Sequence, residues 1–349
     1  MQDPAAANSI LEGVRSQIAP DDSVLKAARE RLADVREASE EFEGALRSFR
    51  SGSVAHLTAN DPVHDADGGI VLDRRNYSEL GPDGDDVGPV EIVHRVRDFI
   101  KPLVKKSHPN ARFDLSKRGI CIGFGEPVAE DQDPSVDLIV ALTRKDKAGL
   151  WIPHLERENW DASDPEAHTR LLEDAYEATN HAVQRAIRVV KAWNRQFDPP
   201  GLSSFNIEAL GLEAITTEMS LSRAVAKLFR YAAVELEKGL TQDPAGVSDP
   251  IRLLIDKDEV LNRLRAAAEL LAAAVEAGDN MVAAQTALAD VFFDYVEAPA
   301  GAASKGSVAQ ALRAGNTGVR IGAGGVISTG TGLGRAVKTT RAYGERGRE

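Results

Sequence analysis

Three aspartates are spaced so that their carboxylates can meet at one point. Asp65 and Asp67 lie two residues apart in a stretch that continues into Ile70-Val71-Leu72 and reads as a strand. Residues two apart on a strand project to the same side, so both carboxylates can aim together. Asp137 interrupts Ser135-Val136-Asp137-Leu138-Ile139-Val140, an apolar run that reads as a buried strand. An ionised carboxylate is costly there without a partner, and a bound cation would answer all three charges. Oxygen donors suit Mg²⁺, which usually keeps waters and substrate phosphates as its other ligands. Just ahead of the pair, Ser51-Gly52-Ser53 forms a small-residue turn.

These residues need elements to hold them. Residues 22–50 read as one amphipathic helix through Leu25, Ala28, Leu32, Val35, Ala38, Phe42, Leu46 and Phe49, capped by Asp21, Asp22 or Ser23. A strand at 65–75 follows, and Gly68-Gly69 predicts a bend or bulge in it. Residues 76–90 read as a loop, 91–107 as a helix, and 111–115 and 119–124 as strands ahead of the Asp137 strand. From 165 the chain reads as helical. One long helix runs to Asp198-Pro199-Pro200-Gly201, with others at 204–218, 220–239, 251–277 and 279–296. The order predicts an α+β fold: a lobe with a mixed sheet and a long N-terminal helix over 1–160, then a helical lobe over 161–298. Residues 299–349 hold 12 of the 29 glycines and read as a flexible basic tail, with a helix conceivable only at 306–314.

Composition narrows the function. The single cysteine, Cys121, leaves no disulfide framework and no cysteine-based zinc site. The start, Met-Gln-Asp-Pro, has neither the basic nor the apolar region of a signal peptide, and no apolar run reaches the roughly 20 residues of a membrane span. A cytoplasmic protein without membrane contact is expected. The net charge of −12 is uneven: the last 49 residues carry eight Lys/Arg and two Asp/Glu, a balance of +6, which leaves −18 for the rest. Such an acidic body makes no strong case for nucleic-acid binding. It does permit a small pocket where a few cations meet nucleotide phosphates.

Five blocks together resemble the nucleotidyltransferases of the DNA polymerase β-like fold. Within them the chain looks like the CD-NTases, bacterial relatives of the cyclic GMP-AMP and oligoadenylate synthases. Ser51-Gly52-Ser53-Val54-Ala55-His56-Leu57-Thr58 is similar to the activation turn, with a threonine five residues after its serine. His64-Asp65-Ala66-Asp67 resembles the metal-binding Asp-x-Asp, and Val136-Asp137-Leu138 the third carboxylate strand. Val189-Val190-Lys191-Ala192-Trp193-Asn194 resembles a Lys-x-Trp helix. Ser204-Phe205-Asn206-Ile207-Glu208 resembles a Ser-Tyr-x-x-Glu helix start, with phenylalanine in place of tyrosine.

The resemblance implies a polymerase β-like lobe closed by a C-terminal helical lobe, with nucleotides between them. It implies Asp65, Asp67 and Asp137 as the catalytic and metal-binding residues, with two Mg²⁺ ions, or Mn²⁺ in their place. Gly52, Ser53, Lys191 and Ser204 would bind the triphosphate. The implied activity joins nucleoside triphosphates, ATP among them, into a cyclic di- or trinucleotide second messenger in bacterial antiphage defence of the CBASS type. Nucleotidyl transfer to RNA or protein, and a catalytically inactive nucleotide-binding scaffold, are the alternatives. A regulatory or conjugating protein is the partner expected for the 299–349 tail. The bases, the linkage and the ring size are not legible. Asp73 is expected to be a surface or capping residue, Trp193 core packing, and Trp151 and Trp160 part of a segment over the cleft. His56 and His64 are expected either to support the metal ligands without touching the metal or to be structural, since histidine is a poor ligand for Mg²⁺, and Cys121 is expected to be a small core residue.

Overall fold

The structure is a computed structural model that describes residues 4–129 and 132–299, plus three short strands in the remaining C-terminal segment. Two hydrophobic cores divide the described chain. The first is built on a mixed seven-stranded sheet of β1 (Ala45–Ser51), β2 (Asp65–Leu72), β3 (Arg112–Leu115), β4 (Gly119–Gly123), β5 (Ser135–Thr143), β6 (Leu150–His154) and β7 (Asn159–Ser163). The order is β1-β2-β5-β4-β3, with β6 pairing the end of β5 and β7 extending from β6. Only β2 and β5 run parallel. Helices α1 (Ala5–Gln17), α2 (Asp22–Glu40), the short α3 (Gly52–Ala55) and α4 (Val90–Ser107) complete the N-terminal half.

Strand alternation sorts β2 and β5 into two faces. Ala66, Ile70, Leu72, Val136, Leu138, Val140 and Leu142 point into one core with Val24, Ala28, Leu32 and Val35 of α2 and Ile92, Val93, Val96 and Ile100 of α4. On the other face, Val71 and Ala141 join Phe49 and Leu150 in a small cluster. Asp65, Asp67 and Asp137 share the periodicity of that second face but sit nearer the strand starts, ahead of the apolar cluster.

The second core is helical: α5 (Pro165–Ala178), α6 (Ala182–Arg195), α7 (Ser204–Ala214), α8 (Leu221–Lys238), α9 (Lys257–Glu276) and α10 (Met281–Val291). Ala6, Ala7, Leu11 and Val14 of α1 pack into this core, so the N-terminus belongs physically to the helical lobe.

Four local expectations change. The helix expected over 22–50 ends at Glu40, and 45–51 forms β1. Gly44, at φ 77°, turns the chain, after which Phe49 is buried while Leu46 is 49% exposed. The long helix expected from 165 breaks into α5 and α6 where Asn180 and His181 adopt φ of 46° and 69°. Gly68-Gly69 makes no bulge: β2 pairs without interruption on both sides, and the irregularity lies in β1 between Ala45 and Arg47. Within the expected flexible tail, β8 (Val319–Ile321), β9 (Ile327–Thr329) and β10 (Arg335–Ala336) form a small antiparallel sheet. The 306–314 segment and most of the rest of the tail lie outside the described residues.

Gly69 is glycine because of packing. A Cβ there would lie 2.4 Å from the Phe49 ring and 2.6 Å from the Ile139 carbonyl oxygen. A backbone oxygen inside a paired sheet has little room to yield. Gly69→Ala is expected to destabilise the protein by roughly 1–3 kcal/mol. Urea unfolding checks this: the midpoint should fall at an unchanged slope, and an unshifted midpoint would show that the sheet absorbs the methyl group.

Candidate functional site

Pairing brings the acidic residues together. In the parallel register of β2 and β5, Asp67 stands opposite Asp137 and Asp65 opposite Ser135. On the other side of β2, Ser51 of β1 is paired with Asp67. The next residue, Gly52, therefore arrives directly over the Asp67 carboxylate. A Cβ on Gly52 would fall 1.8 Å from Asp67 Oδ2, and its φ of 70° is one that glycine adopts without cost. The turn is tied by His56 N–H donating to Gly52 O and Thr58 N–H donating to Ser53 O, both at 2.9 Å. Of the expected phosphate-binding residues, Gly52 thus lies against the Asp67 carboxylate, and Ser53 follows it in the same turn.

Crowding three carboxylates perturbs them. Burial first, then the charges of Asp65 and Asp137, raise the Asp67 carboxyl to about 7; Glu208 adds to this and Lys191 opposes it. Asp137 is also raised, mainly by burial, while a hydrogen bond from the Cys121 thiol works in the opposite direction. Cys121 is the residue register-paired with Asp137 on β4. Its half-buried thiol is pushed up to about 11, by burial and then by Asp137, so it is a protonated donor at neutral pH. Asp137 Oδ1 is buried without a hydrogen-bond partner. A cavity of about 250 Å³ opens against Asp67 and Asp137, walled by Ser116, Lys117, Arg118 and Gly119 at the β3–β4 turn.

Hard oxygen donors, a raised carboxyl and an orphaned buried carboxylate oxygen suit a small divalent cation. Among the described residues, no group of three or more His, Cys, Asp or Glu stands ready to hold a metal ion. Mg²⁺ is commonly held by one or two carboxylates together with substrate phosphates. The donor set is therefore compatible with a cation that arrives with phosphates.

Lys191 and Ser204 are placed differently from one another. Lys191, on α6, is 3% exposed. Its ammonium donates to Glu208 Oε1 at 2.6 Å and to Thr58 Oγ1 at 2.9 Å. Its charge is felt at Asp67, but its near partners are protein groups rather than open cleft. Ser204 is exposed at the first position of α7, and the neighbouring Ser203 caps that helix by accepting from Asn206 N–H at 3.1 Å. Phe205 tilts against the His168 ring at 4.7 Å, so its ring is used in packing.

Asp73 faces Arg75, whose guanidinium contacts it at 2.6–3.0 Å, so its charge is used outside the cleft. Trp193 is buried edge-on against Phe197 and Phe229. Trp151 and Trp160 do not cover the cleft: their indole N–H groups donate to Asp83 and to Val87 O, anchoring the 76–90 loop. His64 is exposed, and His56 is buried among protein partners. Glu208 is the group whose part sequence reasoning missed. Its signal was a single charge inside the apolar run Ile207-Glu208-Ala209-Leu210.

No family model matches the chain, and no curated protein matches it by sequence. Solved structures do match. CdnC from Escherichia coli, solved with ATP, is 15% identical with a TM-score of 0.59, over 83% of this chain and 97% of its own. The CD-NTase CdnG from Bradyrhizobium diazoefficiens, in complex with GTP, is 16% identical with a TM-score of 0.59, over 84% and 97%. The chain has the CD-NTase fold. The cyclic AMP-GMP synthase DncV of Vibrio cholerae shares it at 16% identity and a TM-score of 0.51, over 84% of this chain and 88% of its own. Among the described residues, no helix of this CD-NTase-fold chain is long and apolar enough to cross a membrane.

Two outcomes follow from this geometry. Unfolded, Asp67 ionises in the ordinary carboxylate range; folded, it holds its proton until about pH 7. Between those limits the folded state binds the extra proton, so rising pH removes stability from the cation-free protein. In EDTA, the melting temperature of Asp67→Asn should gain on that of the wild type as pH rises from about 5 to about 8. A gap that stays constant with pH would contradict the assignment. Gly52→Ala should displace the Asp67 carboxylate or the turn, because 1.8 Å is far inside contact distance. Its crystal structure is expected to show that displacement, and an unmoved site would refute the close approach.

Proposed function

We propose that the chain is a nucleotidyltransferase of the CD-NTase type. In this reading it joins nucleoside triphosphates into a cyclic di- or trinucleotide, a second messenger of CBASS-type bacterial antiphage defence. The observation that carries the reading is the Asp67–Asp137 register with Gly52 laid on the Asp67 carboxylate. That arrangement places a glycine turn and clustered acids side by side, as transfer of a phosphate-linked group requires. The fold adds support, since two proteins that share it were solved with ATP and with GTP and a third is a cyclic AMP-GMP synthase.

In the proposed reaction, a ribose hydroxyl of one nucleotide attacks the α-phosphorus of another and pyrophosphate leaves. Backbone N–H groups of the Gly52–Ser53 turn and the Ser53 hydroxyl would orient the triphosphate. Asp65, Asp67 and Asp137 would hold Mg²⁺, or Mn²⁺, brought with the nucleotide. Two such ions, when bound, supply charge stabilisation to the attacking and leaving oxygens. The β3–β4 turn, with Lys117 beside the cavity, would face the second nucleotide. Lys191 contributes its positive charge near Asp67. Ser204, at the exposed start of α7, would meet the triphosphate as the cleft closes.

A regulatory partner belongs to the same reading. CdnC, which shares the fold at a TM-score of 0.58 in that structure, was also solved in complex with a HORMA protein. A protein that binds the 299–349 segment would serve this role. The reading places the enzyme in the cytoplasm.

The test is to incubate the purified chain with labelled nucleoside triphosphates and Mg²⁺ or Mn²⁺, then treat with phosphatase. A phosphatase-resistant small product is expected. Asp65→Asn combined with Asp67→Asn should lower turnover by at least about a hundredfold while the fold is kept, because several kcal/mol of charge stabilisation is lost. Retention of more than about a tenth of wild-type turnover would overturn the carboxylate assignment. Label found on RNA or protein would overturn cyclisation.

A further inference from the structure

Beneath the Gly52–Ser53 turn lies a closed set of buried polar groups drawn from both lobes. Glu208 of α7 is its centre. Glu208 Oε1 accepts from the Lys191 ammonium and from the Thr58 hydroxyl, each at 2.6 Å, and Oε2 lies 3.0 Å from His56 Nδ1. His56 Nε2 lies 3.1 Å from Thr169 Oγ1 of α5, a hydroxyl that is also within hydrogen-bond distance of the Pro165 carbonyl at 3.0 Å and of the Arg50 carbonyl of β1 at 3.2 Å. His56, Thr58, Thr169, Lys191 and Glu208 are all at most 8% exposed. Since an ionised carboxylate only accepts, the Glu208 contact assigns the His56 proton to Nδ1.

The backbone of the same residues closes the turn. His56 N–H bonds Gly52 O, and Thr58 N–H bonds Ser53 O. Glu208 therefore grips, through their side chains, the two residues whose backbone fixes Gly52 and Ser53. A lone carboxylate buried at this depth would be strongly disfavoured; Lys191 and His56 more than offset that cost. Lys191 thus has a local task, which is to keep Glu208 charged.

We infer that Glu208 is a positioning residue for nucleotide phosphates, acting through His56 and Thr58 to hold the Gly52–Ser53 turn in its phosphate-accepting shape. The inference rests on the proposed nucleotidyltransferase reading, which supplies the ligand. It places the rigidity of the turn in the helical lobe. It also makes the relation of the two lobes a determinant of nucleotide affinity.

The direct variant, Glu208→Gln, leaves a buried lysine unpaired and can fail to fold, so Thr58 provides the second test. Thr58→Val removes the hydroxyl at constant shape, and Thr58→Ser keeps it. Affinity for MgATP, MgGTP, MgCTP and MgUTP is measured by calorimetry on the full chain, next to each melting temperature. Thr58→Val is expected to weaken binding of the nucleotide that the wild type takes by at least about tenfold, and Thr58→Ser to restore it to within about threefold. In turnover, the loss should appear as a raised KM with a smaller change in kcat. Unchanged affinity in Thr58→Val, with only a lower melting temperature, would make the network a structural strut and overturn the inference. A wild type that binds nucleotide without turning it over would overturn the proposed reaction and leave the positioning role standing. A wild type that binds none of MgATP, MgGTP, MgCTP and MgUTP would overturn both.

Discussion

The cost of holding like charges close together organises this molecule. Asp67 stands beside Asp137 in the β2–β5 register, with Asp65 two residues away, and its carboxyl is raised to about 7 by burial and by those neighbours. No fold would gather such groups for stability alone, because clustered, partly buried carboxylates repel one another and lose solvation. The surrounding design limits the cost. The acids lie at the open ends of their strands, while the apolar residues farther along, Val71 and Ala141 with Phe49 and Leu150, close the sheet face behind them. The Cys121 thiol, register-paired with Asp137, works against the rise of its carboxyl, and Lys191 supplies a positive charge near Asp67.

The same constraint explains the glycine turn. Pairing Ser51 with Asp67 leaves no room for a side chain at the next position, so Gly52 can sit against the carboxylate and change chain direction at once. Segment 52–58 is then anchored from below by Glu208, a group of the other lobe. The sheet half and the helical half are thereby coupled by charge as well as by packing. Asn60 and Arg188 add a second bridge, in which the Asn60 amide donates to Arg188 O at 2.8 Å and the Arg188 guanidinium donates to Asn60 Oδ1 at 3.1 Å.

Much of this was legible in the sequence, and the limits have physical causes. Alternation along 65–72 and 135–143 placed the three aspartates on one face, and the sheet is mixed as expected. Phe42, Leu46 and Phe49 continue a helical spacing by coincidence, and a turn over 41–44 with a positive φ at Gly44 separates β1 from α2. The break between α5 and α6 carries neither glycine nor proline, so Asn180 and His181 left little trace of it. The pairing of Lys191 with Glu208 joins two helices across 17 residues, a relation that no local period encodes. Lys191 could therefore be read as a free cation for phosphate until the fold supplied its partner. In α1, Ala6, Leu11 and Val14 hold the helical period, yet 13 residues are a short window for it.

The account stands on one claim: the β2–β5 acids and the Gly52–Ser53 turn together receive a cation and a triphosphate. Diffraction from crystals grown with Mn²⁺ and a non-reactive nucleoside triphosphate tests it most directly, because manganese is located by its anomalous signal. The account predicts anomalous density in contact with Asp67 and Asp137, with the triphosphate lying along the Gly52–Ser53 turn. Nucleotide bound elsewhere, or manganese absent from these carboxylates while the nucleotide is in place, would contradict it.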